Sequence, residues 1–293
     1  MRSIHETNKY FKCLVLNYLT SSILINTMCW DISLHTNLEI VKKAFPTLRD
    51  ERKQLEYDYR NFENVQAISF PAYPIICKDQ ENEKIDLIEM EWGILPTYIQ
   101  DPKEQGERRR NMINVRSERV FADRNSYWHR LKDQRCLIPV SGTFEHRKIH
   151  DKKKKIPYYI GQKAREFFFI PGIYQWHEII TQDGEIHKVG SFGMLTREAN
   201  TVMGHIHNDG PNKKRMPLFL TPELEQQWLQ AKDDKSLVDI FNYEIADQAL
   251  EYYPVYTLRG YPNRPDGKHR YEPYPWADVP PLGQDGPMQQ SLF

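Results

Sequence analysis

The stretch RCLIPVSGTFEH, Arg135–His146, is an apolar run that ends in a glutamate and a histidine. It has the pattern of short β-strands, and runs of the same kind precede and follow it along the chain. These runs are QAISFPAYPIIC (66–77), KIDLIEMEWGIL (84–95), PYYIGQKAREFFFIPGIYQWHE (157–178) and KVGSFGMLT (188–196). The middle of the chain is therefore predicted to be rich in strands.

Helical patterns flank this strand-rich region. TNLEIVKKAF (36–45) has helical spacing behind Asn37 as N-cap, and TPELEQQWLQA (221–231) opens with Thr221 as N-cap. A further helical pattern covers residues 236–253. The chain shows no internal repeats and no regular alternation of strand and helix. It is therefore predicted to be α+β, with antiparallel sheets and flanking helices.

The composition is that of an ordinary globular protein. The 293 residues are 27% charged and 40% hydrophobic, enough for one large core or two small ones. Because 40 basic residues balance 40 acidic ones, any binding of nucleic acid must come from local basic patches. The cysteines form no CxxC pair, which indicates a reducing compartment, and we expect a cytoplasmic protein.

The chain divides into three parts by composition. Residues 1–27 are expected to be a leader or an over-extended start that the mature protein lacks; an export signal and a native propeptide are the alternatives. The apolar run in this part is too short and too polar to span a membrane, and no membrane association is expected. Residues 28–260 are expected to be one domain. Residues 261–293 are rich in proline and glycine and are predicted to be a tail without a core.

NVRSERVF (114–121) places Asn114, Arg116 and Glu118 at alternate positions. In a strand these three side chains would point to one face. An amide, a guanidinium and a carboxylate in a row predict either the floor of a site or a solvated strand face. In the first interpretation the Arg116 guanidinium binds a phosphate group through two parallel hydrogen bonds.

Two further segments offer acid–base groups. Glu145 ends the apolar run quoted above, where a carboxylate suits general acid–base chemistry, although it could instead lie on a rim. GHIHNDG (204–210) contains His205, His207 and Asp209, a spacing that can bind a metal ion. The absence of further ligands in the pattern favours one histidine as acid–base group and the other as structural, without a cofactor.

Basic runs adjoin all of these segments. They are ERRR (107–110), RKIHDKKKK (147–155) and KKR (213–215). Such runs usually form solvated loops, but their positions favour a groove for a polyanion, with Arg215 at its wall. Aromatic side chains near the same segments could stack on bases, namely Trp92, Tyr127 and Trp128.

In their order along the chain, these motifs resemble the SRAP family (SOS response-associated peptidase), the abasic-site crosslinking domain. The resemblance spans roughly residues 28–260. Its motifs are Met28-Cys29, WGILP (92–96), NVRSE (114–118), RCLIPVSGTFEH (135–146), PGIYQW (171–176) and IH…RMPLFL (206–220). It implies sheets curled around a positively charged channel for single-stranded DNA.

The resemblance also implies roles for individual residues. Cys29 matches the nucleophile, which becomes the first residue once the initiator methionine is removed. Asn114 and Arg116 match the site asparagine and arginine, Glu145 matches the site glutamate, and His207, rather than His205, matches the site histidine. Trp92 and Arg215 are expected to contact DNA.

The sequence also departs from the family pattern at three places. Trp30-Asp31 stands where Gly-Arg is common, so a DNA-facing arginine is missing there. Residues 208–214 separate His207 from the RMP motif, which requires a loop that bulges outward. His146 stands where tryptophan commonly follows the glutamate.

The function implied is covalent capture of abasic sites in single-stranded DNA through a thiazolidine on Cys29, which shields the lesion. Lyase and autopeptidase activities are further implications. The alternatives are a cysteine peptidase using Cys29, Glu145 and His207, a non-catalytic single-stranded DNA-binding module, and a metal hydrolase. A monomer is expected.

The C-terminal pentapeptide QQSLF resembles the peptide with which bacterial proteins bind the sliding clamp. In that mode Gln289, Leu292 and Phe293 would dock into an apolar pocket of the clamp. An inert C-terminus is the alternative.

Overall fold

The computed structural model describes residues 31–52, 62–79, 83–99, 101–180, 184–259 and 264–286. Within these ranges the chain forms thirteen strands and seven α-helices, so the predicted α+β class is confirmed. The strands belong to two sheets, and most neighbouring strands run antiparallel.

Five strands of the larger sheet close into a barrel. In order around the ring they are β4 (Ala72–Lys78), β7 (Arg135–Val140), β10 (Phe168–Ile180), β11 (Ile186–Glu198) and β5 (Ile85–Trp92), which returns to β4. Every contact in the ring is antiparallel except that between β11 and β5. Short strands extend from β5 and β11, namely β2 (Arg49–Asp50), β6 (Asn114–Arg116) and β12 (Arg215–Pro217).

The second sheet has five antiparallel strands. Their order is β13 (Leu250–Pro254), β9 (Ile156–Gln162), β8 (Gly142–Arg147), β1 (Asp31–Leu34) and β3 (Phe62–Gln66). Only Ser141 separates β7 from β8, so the segment 135–146 runs without a break from the barrel into the centre of the second sheet. Every residue of β7 is buried, as expected for its apolar sequence.

The helices lie between and beside the strands. They are α1 (Leu38–Lys43), α2 (Pro102–Arg110), α3 (Ser117–Ala122), α4 (Tyr127–Arg130), α5 (Thr201–Ile206), α6 (Pro222–Gln230) and α7 (Asp234–Asn242). Both predicted N-caps are confirmed: the Asn37 side chain accepts from the Glu39 amide, and the Thr221 hydroxyl accepts from the Leu224 amide. These caps satisfy amide groups that have no partner within the helix.

The helical prediction for residues 236–253 is only half right. Helix α7 ends at Asn242, and residues 250–254 form β13, which pairs with β9 at the edge of the second sheet. The available edge of β9 offers this segment a full set of backbone hydrogen bonds, and such tertiary pairing overrides local helical propensity.

Residues 264–286, here called the C-terminal segment, lie in the part predicted to be a tail without a core, and they pack on the core of the rest of the protein. Trp276, Val279 and Leu282 pack against the main core. Arg264 is 8% exposed and donates to the carbonyl oxygens of His269, Glu272 and Pro273. The segment has no strand or helix of its own, but it covers apolar surface that the sheets supply.

Candidate active site

Strand β8 holds Glu145 in the interior of the second sheet. Because alternate residues of a strand face the same side, Thr143, Glu145 and Arg147 share one face. Glu145 is 4% exposed, and its Oε1 atom has no hydrogen-bond partner among the described residues. Leaving a buried carboxyl oxygen without a donor costs free energy. This oxygen can therefore bind a donor group that enters the site.

His207 follows helix α5, and its ring lies beside Glu145. The Nδ1 atom is 4.0 Å from Glu145 Oε1, too far for a hydrogen bond, and the residue is 2% exposed. Nδ1 also lies 2.9 Å from the carbonyl oxygen of Arg215. A carbonyl oxygen can only accept, so Nδ1 carries the proton and Nε2 is the proton acceptor of the neutral ring.

The loop 208–214 is closed at its base. The Lys214 amide donates to the His207 carbonyl at 2.7 Å, and Lys214 adopts a left-handed conformation with φ of 59°. Asp209 and Lys213 near the middle of the loop are exposed. The long spacing before the RMP motif is therefore accommodated outside the fold, and His207 keeps its contact with Arg215.

Strand β6 holds Asn114 and Arg116 beside β11. Asn114 is opposite Met194 and is 7% exposed. Arg116 donates to Oδ1 of Asn212 at 2.9 Å and lines a cavity of about 560 Å³. Basic side chains outnumber acidic ones in the lining of this cavity, which suits an anionic group. Besides Arg116, the charged residues are Arg197, Lys213, Lys214 and Arg215 against Glu118 and Glu198.

Glu118 differs from the sequence prediction. Glu118 lies in helix α3 rather than in a strand, and its carboxylate pairs with the Arg215 guanidinium. Arg215 is 7% exposed and also donates to the Thr196 carbonyl. The Arg215 side chain thus pairs with Glu118 at the wall of the cavity that Arg116 lines, while its carbonyl orients His207, and its contact with DNA stays a prediction.

Trp92 has no exposed ring face on which a base could stack in this structure. Trp92 is 0% exposed, stacks on Phe192 inside the protein and donates from Nε1 to the Ile113 carbonyl at 3.1 Å. Its ring faces are thus covered by protein. Tyr127 and Trp128 are partly buried on α4.

Cys29 and residues 1–27 lie outside the described residues, as do Gln289, Leu292 and Phe293. Strand β1 begins at Asp31 and pairs with β8, so that Asp31 is opposite Phe144, next to Glu145. Asp31 is buried and accepts from Arg259 at 2.9 Å. Burial raises the pKa of Asp31, and the Arg259 guanidinium opposes this shift.

The neighbouring histidines have other surroundings. Burial lowers the pKa of His146 to about 4, against the opposing effect of the Glu145 carboxylate, so its ring is neutral near pH 7. His205 lies against Gly283, and Asp209 pairs with Lys155 at 3.0 Å. The described part of the chain contains no group of three His, Cys, Asp or Glu side chains that could hold a metal ion.

One part of the site was missed by the sequence analysis. Arg147 belongs to a basic run that was predicted to line a groove for a polyanion, yet it is fully buried on the same face of β8 as Glu145. Asp285 pairs with it and also accepts from Asn208, the residue after His207. The two-residue spacing of Glu145 and Arg147 in a strand could have revealed the shared face, but nothing local indicated Asp285.

Comparisons with known proteins agree with this architecture. The chain is 30% identical over 186 residues to abasic site processing protein YoqW of Bacillus subtilis, a match that covers 62% of this chain and 74% of that protein. It is 25% identical over 173 residues to abasic site processing protein YMR114C of Saccharomyces cerevisiae, covering 57% and 42% of the two chains.

Solved structures share the fold. A protein from Bacteroides thetaiotaomicron superposes with a TM-score of 0.64 at 25% identity, covering 84% of this chain and 97% of that one. A protein from Bordetella bronchiseptica superposes with a TM-score of 0.58 at 19% identity, covering 78% of this chain and 100% of that one, and this likeness concerns the fold alone.

A further finding concerns membranes: no helix in the described ranges has the length and apolar character needed to cross one.

The sequence model of the SOS response associated peptidase (SRAP) family matches residues 28–260, which is most of the chain. With the ordered motifs and the shared fold, this match shows that the chain belongs to the SRAP family.

Proposed function

We propose that this protein processes abasic sites by capturing them covalently in single-stranded DNA, with Cys29 as the first residue of the mature chain. The names of the relatives in Bacillus subtilis and Saccharomyces cerevisiae support abasic-site processing. The family match begins at residue 28, directly before Cys29, which supports a start at this point.

The observation that carries the proposal is the buried Glu145–His207 pair beside the start of β1. Cys29 is two residues before Asp31 in the chain, so covalent geometry keeps its Cα within about 7 Å of the Asp31 Cα. Asp31 is opposite Phe144, the neighbour of Glu145. The short chain distance from position 29 to β1 supports a nucleophile at this position that uses one acid–base pair shielded from water.

The chemistry requires a free amine and a thiol on adjacent carbons. The ring-opened abasic sugar is an aldehyde, and the neutral α-amine of Cys29 adds to its carbon and expels one water molecule to form an imine. An α-amine has a pKa of about 8, so part of it is neutral near pH 7. The thiol sulfur then adds to the imine carbon, and its proton passes to the nitrogen, which closes a five-membered thiazolidine.

Glu145 and His207 divide the proton transfers in this scheme. Glu145 protonates the sugar oxygen that leaves as the ring opens and removes a proton from the attacking amine. His207 Nε2, the unprotonated nitrogen, accepts the thiol proton and returns it to the imine nitrogen. The Asn114 amide holds the N-terminus, and Arg116 binds the phosphate beside the lesion.

The test uses protein that begins at Cys29 and an oligonucleotide with one abasic site, analysed on a denaturing gel. We expect an adduct with the abasic strand and none with a tetrahydrofuran analogue, which has no aldehyde. The matched control carries one additional alanine before Cys29. It keeps the thiol but converts the amine to an amide, and we expect no stable adduct.

Cys29→Ala should also abolish the adduct, because the ring cannot close without sulfur. An undiminished, heat-stable adduct from either altered protein would contradict the proposal. Binding of the abasic strand that added salt reverses completely, without any adduct, would favour the non-catalytic DNA-binding module.

The family description favours a second candidate, peptidase activity that removes the leader and exposes the Cys29 amine. The same Glu145–His207 pair could assist attack of the Cys29 thiol on the preceding peptide bond. Mass spectrometry of the full-length chain should then show loss of residues 1–28, and Glu145→Gln should retain them.

Binding of the sliding clamp by Gln289, Leu292 and Phe293 also remains a proposal. Deleting residues 289–293 should abolish capture of this protein on immobilised clamp. Equal capture with and without these residues would contradict it.

A further inference from the structure

A buried ion pair joins strand β8 to the C-terminal segment. Arg147 is 0% exposed, and its Nε atom donates to Asp285 Oδ1 at 2.7 Å, with Nη2 2.6 Å from the same oxygen. Nη2 also donates to the Pro281 carbonyl at 2.6 Å. A guanidinium buried in this way requires a counter-charge. Asp285 supplies it from outside the sheet.

The second oxygen of Asp285 reaches the loop that follows His207. Asn208 donates from Nδ2 to Asp285 Oδ2 at 3.1 Å and to the Lys148 carbonyl at 2.8 Å. The Asn208 side-chain oxygen accepts from the Lys148 amide at 2.8 Å. One carboxylate thus connects the strand that carries Glu145 with the residue directly after His207.

Nearby contacts of the same segment reinforce this connection. The Asp285 carbonyl accepts from the His150 amide at 3.0 Å, just beyond β8. Gly283 lies against the His205 ring, where a Cβ atom would be 3.0 Å from His205 Cε1. The segment therefore touches both sides of the Glu145–His207 pair: β8 with the residues after it, and α5 with the loop that follows it.

We propose that Asp285 is a positioning residue that sets the separation of Glu145 and His207, an inference that rests on the function proposed above. Arg147 lies two positions from Glu145 in the strand, and Asn208 is adjacent to His207, so both acid–base groups are one or two residues from an Asp285 contact. Asp285 lies beyond residues 28–260, the part matched by the family model. The C-terminal segment of this chain is thus part of the support of the site.

Asn208 also bonds directly to the Lys148 backbone beyond β8, and Asp285 adds a charged link from Arg147 in β8 itself to the same Asn208 side chain. Glu145 and His207 come from different elements and do not hydrogen-bond to each other, so their 4.0 Å separation depends on what holds the two elements. Without the carboxylate, Arg147 would retain an unbalanced charge beneath the site, and Asn208 would lose its bond to the C-terminal segment. Small displacements of reacting groups lower rates steeply.

The test compares Asp285→Asn with Asp278→Asn in protein that begins at Cys29. Asp278 is exposed in the same segment, and asparagine tolerates its φ of 54°. The first-order rate of adduct formation is measured at saturating abasic strand, and the Kd for the tetrahydrofuran analogue is measured separately. We expect Asp285→Asn to lower the rate about tenfold or more with the Kd changed less than about threefold, and Asp278→Asn to change neither.

Two further variants separate positioning from loss of folding. Asp285→Glu retains the charge and should recover part of the rate. Asn208→Ala removes the bond to Asp285 together with the two bonds to the Lys148 backbone, leaves the Arg147 ion pair, and should lower the rate by about threefold or more. If Asp285→Asn does not fold, Asp285→Glu decides the question, because moving the carboxylate by one methylene should leave only part of the rate, and an unchanged rate would count against the inference.

Rates within about twofold of the unaltered protein for both Asp285→Asn and Asn208→Ala would overturn the inference. Parallel losses of rate and of analogue binding would also overturn it, because they indicate a general structural role. If the unaltered protein forms no adduct, the proposed function fails and this inference with it. An adduct from the unaltered protein together with an unimpaired Asp285→Asn rejects the inference alone.

Discussion

Glu145 shows how one residue acquires its chemistry from its surroundings. Glu145 lies on a central strand that is paired along both edges. The residue is 4% exposed, and one of its carboxylate oxygens accepts no hydrogen bond from any described group. In a low-dielectric setting such an oxygen binds a donor strongly. The nearest acid–base partner, His207, is oriented by a backbone carbonyl rather than by Glu145 itself.

Glu145→Gln is the corresponding test. Glutamine keeps the size of the side chain but cannot transfer a proton, so the rate of adduct formation should fall about 10²- to 10⁴-fold. The Kd for the tetrahydrofuran analogue should stay nearly constant. Glu107→Gln, an exposed change on α2, is the matched control and should leave the rate unchanged. A rate for Glu145→Gln equal to that of the control would remove Glu145 from the mechanism.

Trp92 and Arg215 illustrate a limit of interpretation from residue type. Both have side chains that bind nucleic acid well in general, and both lie in motifs of the family. Trp92 is nevertheless fully covered, and Arg215 is paired with Glu118. Whether an aromatic or cationic side chain can touch DNA depends on its burial and on its partner, and both come from distant parts of the chain.

Strand β8 is the element on which the site depends, and its packing against β9 is tight at Gly142. A Cβ atom on this residue would lie 2.3 Å from Cζ of Tyr159. Tyr159 cannot move freely, because its hydroxyl donates to the Ser141 carbonyl at 2.6 Å and its ring stacks on Tyr253. Glycine at position 142 is therefore a requirement of close approach between neighbouring strands.

Gly142→Ala should lower the free energy of unfolding by about 1–3 kcal/mol, because the added methyl group must displace Tyr159. Gly106→Ala in helix α2 is the matched control, since no atom lies within 4 Å of its Cβ position. That change should raise the free energy of unfolding by about 0.5–1 kcal/mol, through better helix propensity. Urea titrations would measure both values, and equal effects would contradict the packing argument.

The whole molecule contains buried histidines that make it sensitive to acid. Burial lowers the pKa of His177 to about 4, with a smaller contribution in the same direction from Arg109. His146 is shifted to about 4 for the same main reason. In the unfolded chain these rings take up protons near pH 6.5, before the folded protein does. Falling pH therefore favours the unfolded state between about 6.5 and 4.

The Tm should consequently decrease as the pH is lowered through this range. His177→Gln should make the decrease shallower, because glutamine does not titrate and can still accept from Ser191, which lies 2.8 Å from His177 Nε2. His269 has a raised pKa beside Glu63 and acts in the opposite direction, so the comparison of the variant with the unaltered protein is the informative quantity. Identical slopes for the two proteins would refute the assignment to His177.

At the same scale, the C-terminal segment shows why composition alone misled. Its prolines and glycines exclude a core of its own, as predicted, yet it packs on a core that the two sheets provide. It also supplies Asp285, the counter-ion of Arg147. Disorder follows from composition only where no neighbouring surface is available to cover.

Individual strands and helix caps could be predicted from the sequence alone. The runs at 84–95 and 135–146, and the caps Asn37 and Thr221, reflect side-chain periodicity and amide capping, which involve only neighbouring residues. The motifs that identified the family are likewise short and ordered. Glu145 and His207 could be proposed for this reason, each from its own segment.

Distances, burial and pairing between segments required the folded chain. The 4.0 Å approach of Glu145 to His207, the covered faces of Trp92 and the Arg147–Asp285 pair all join residues far apart in sequence. Strand β13 formed where helix was predicted, because the edge of β9 offered it partners. Such contacts depend on how sheets close and on which charges are left to neutralise, and no window of neighbouring residues contains that information.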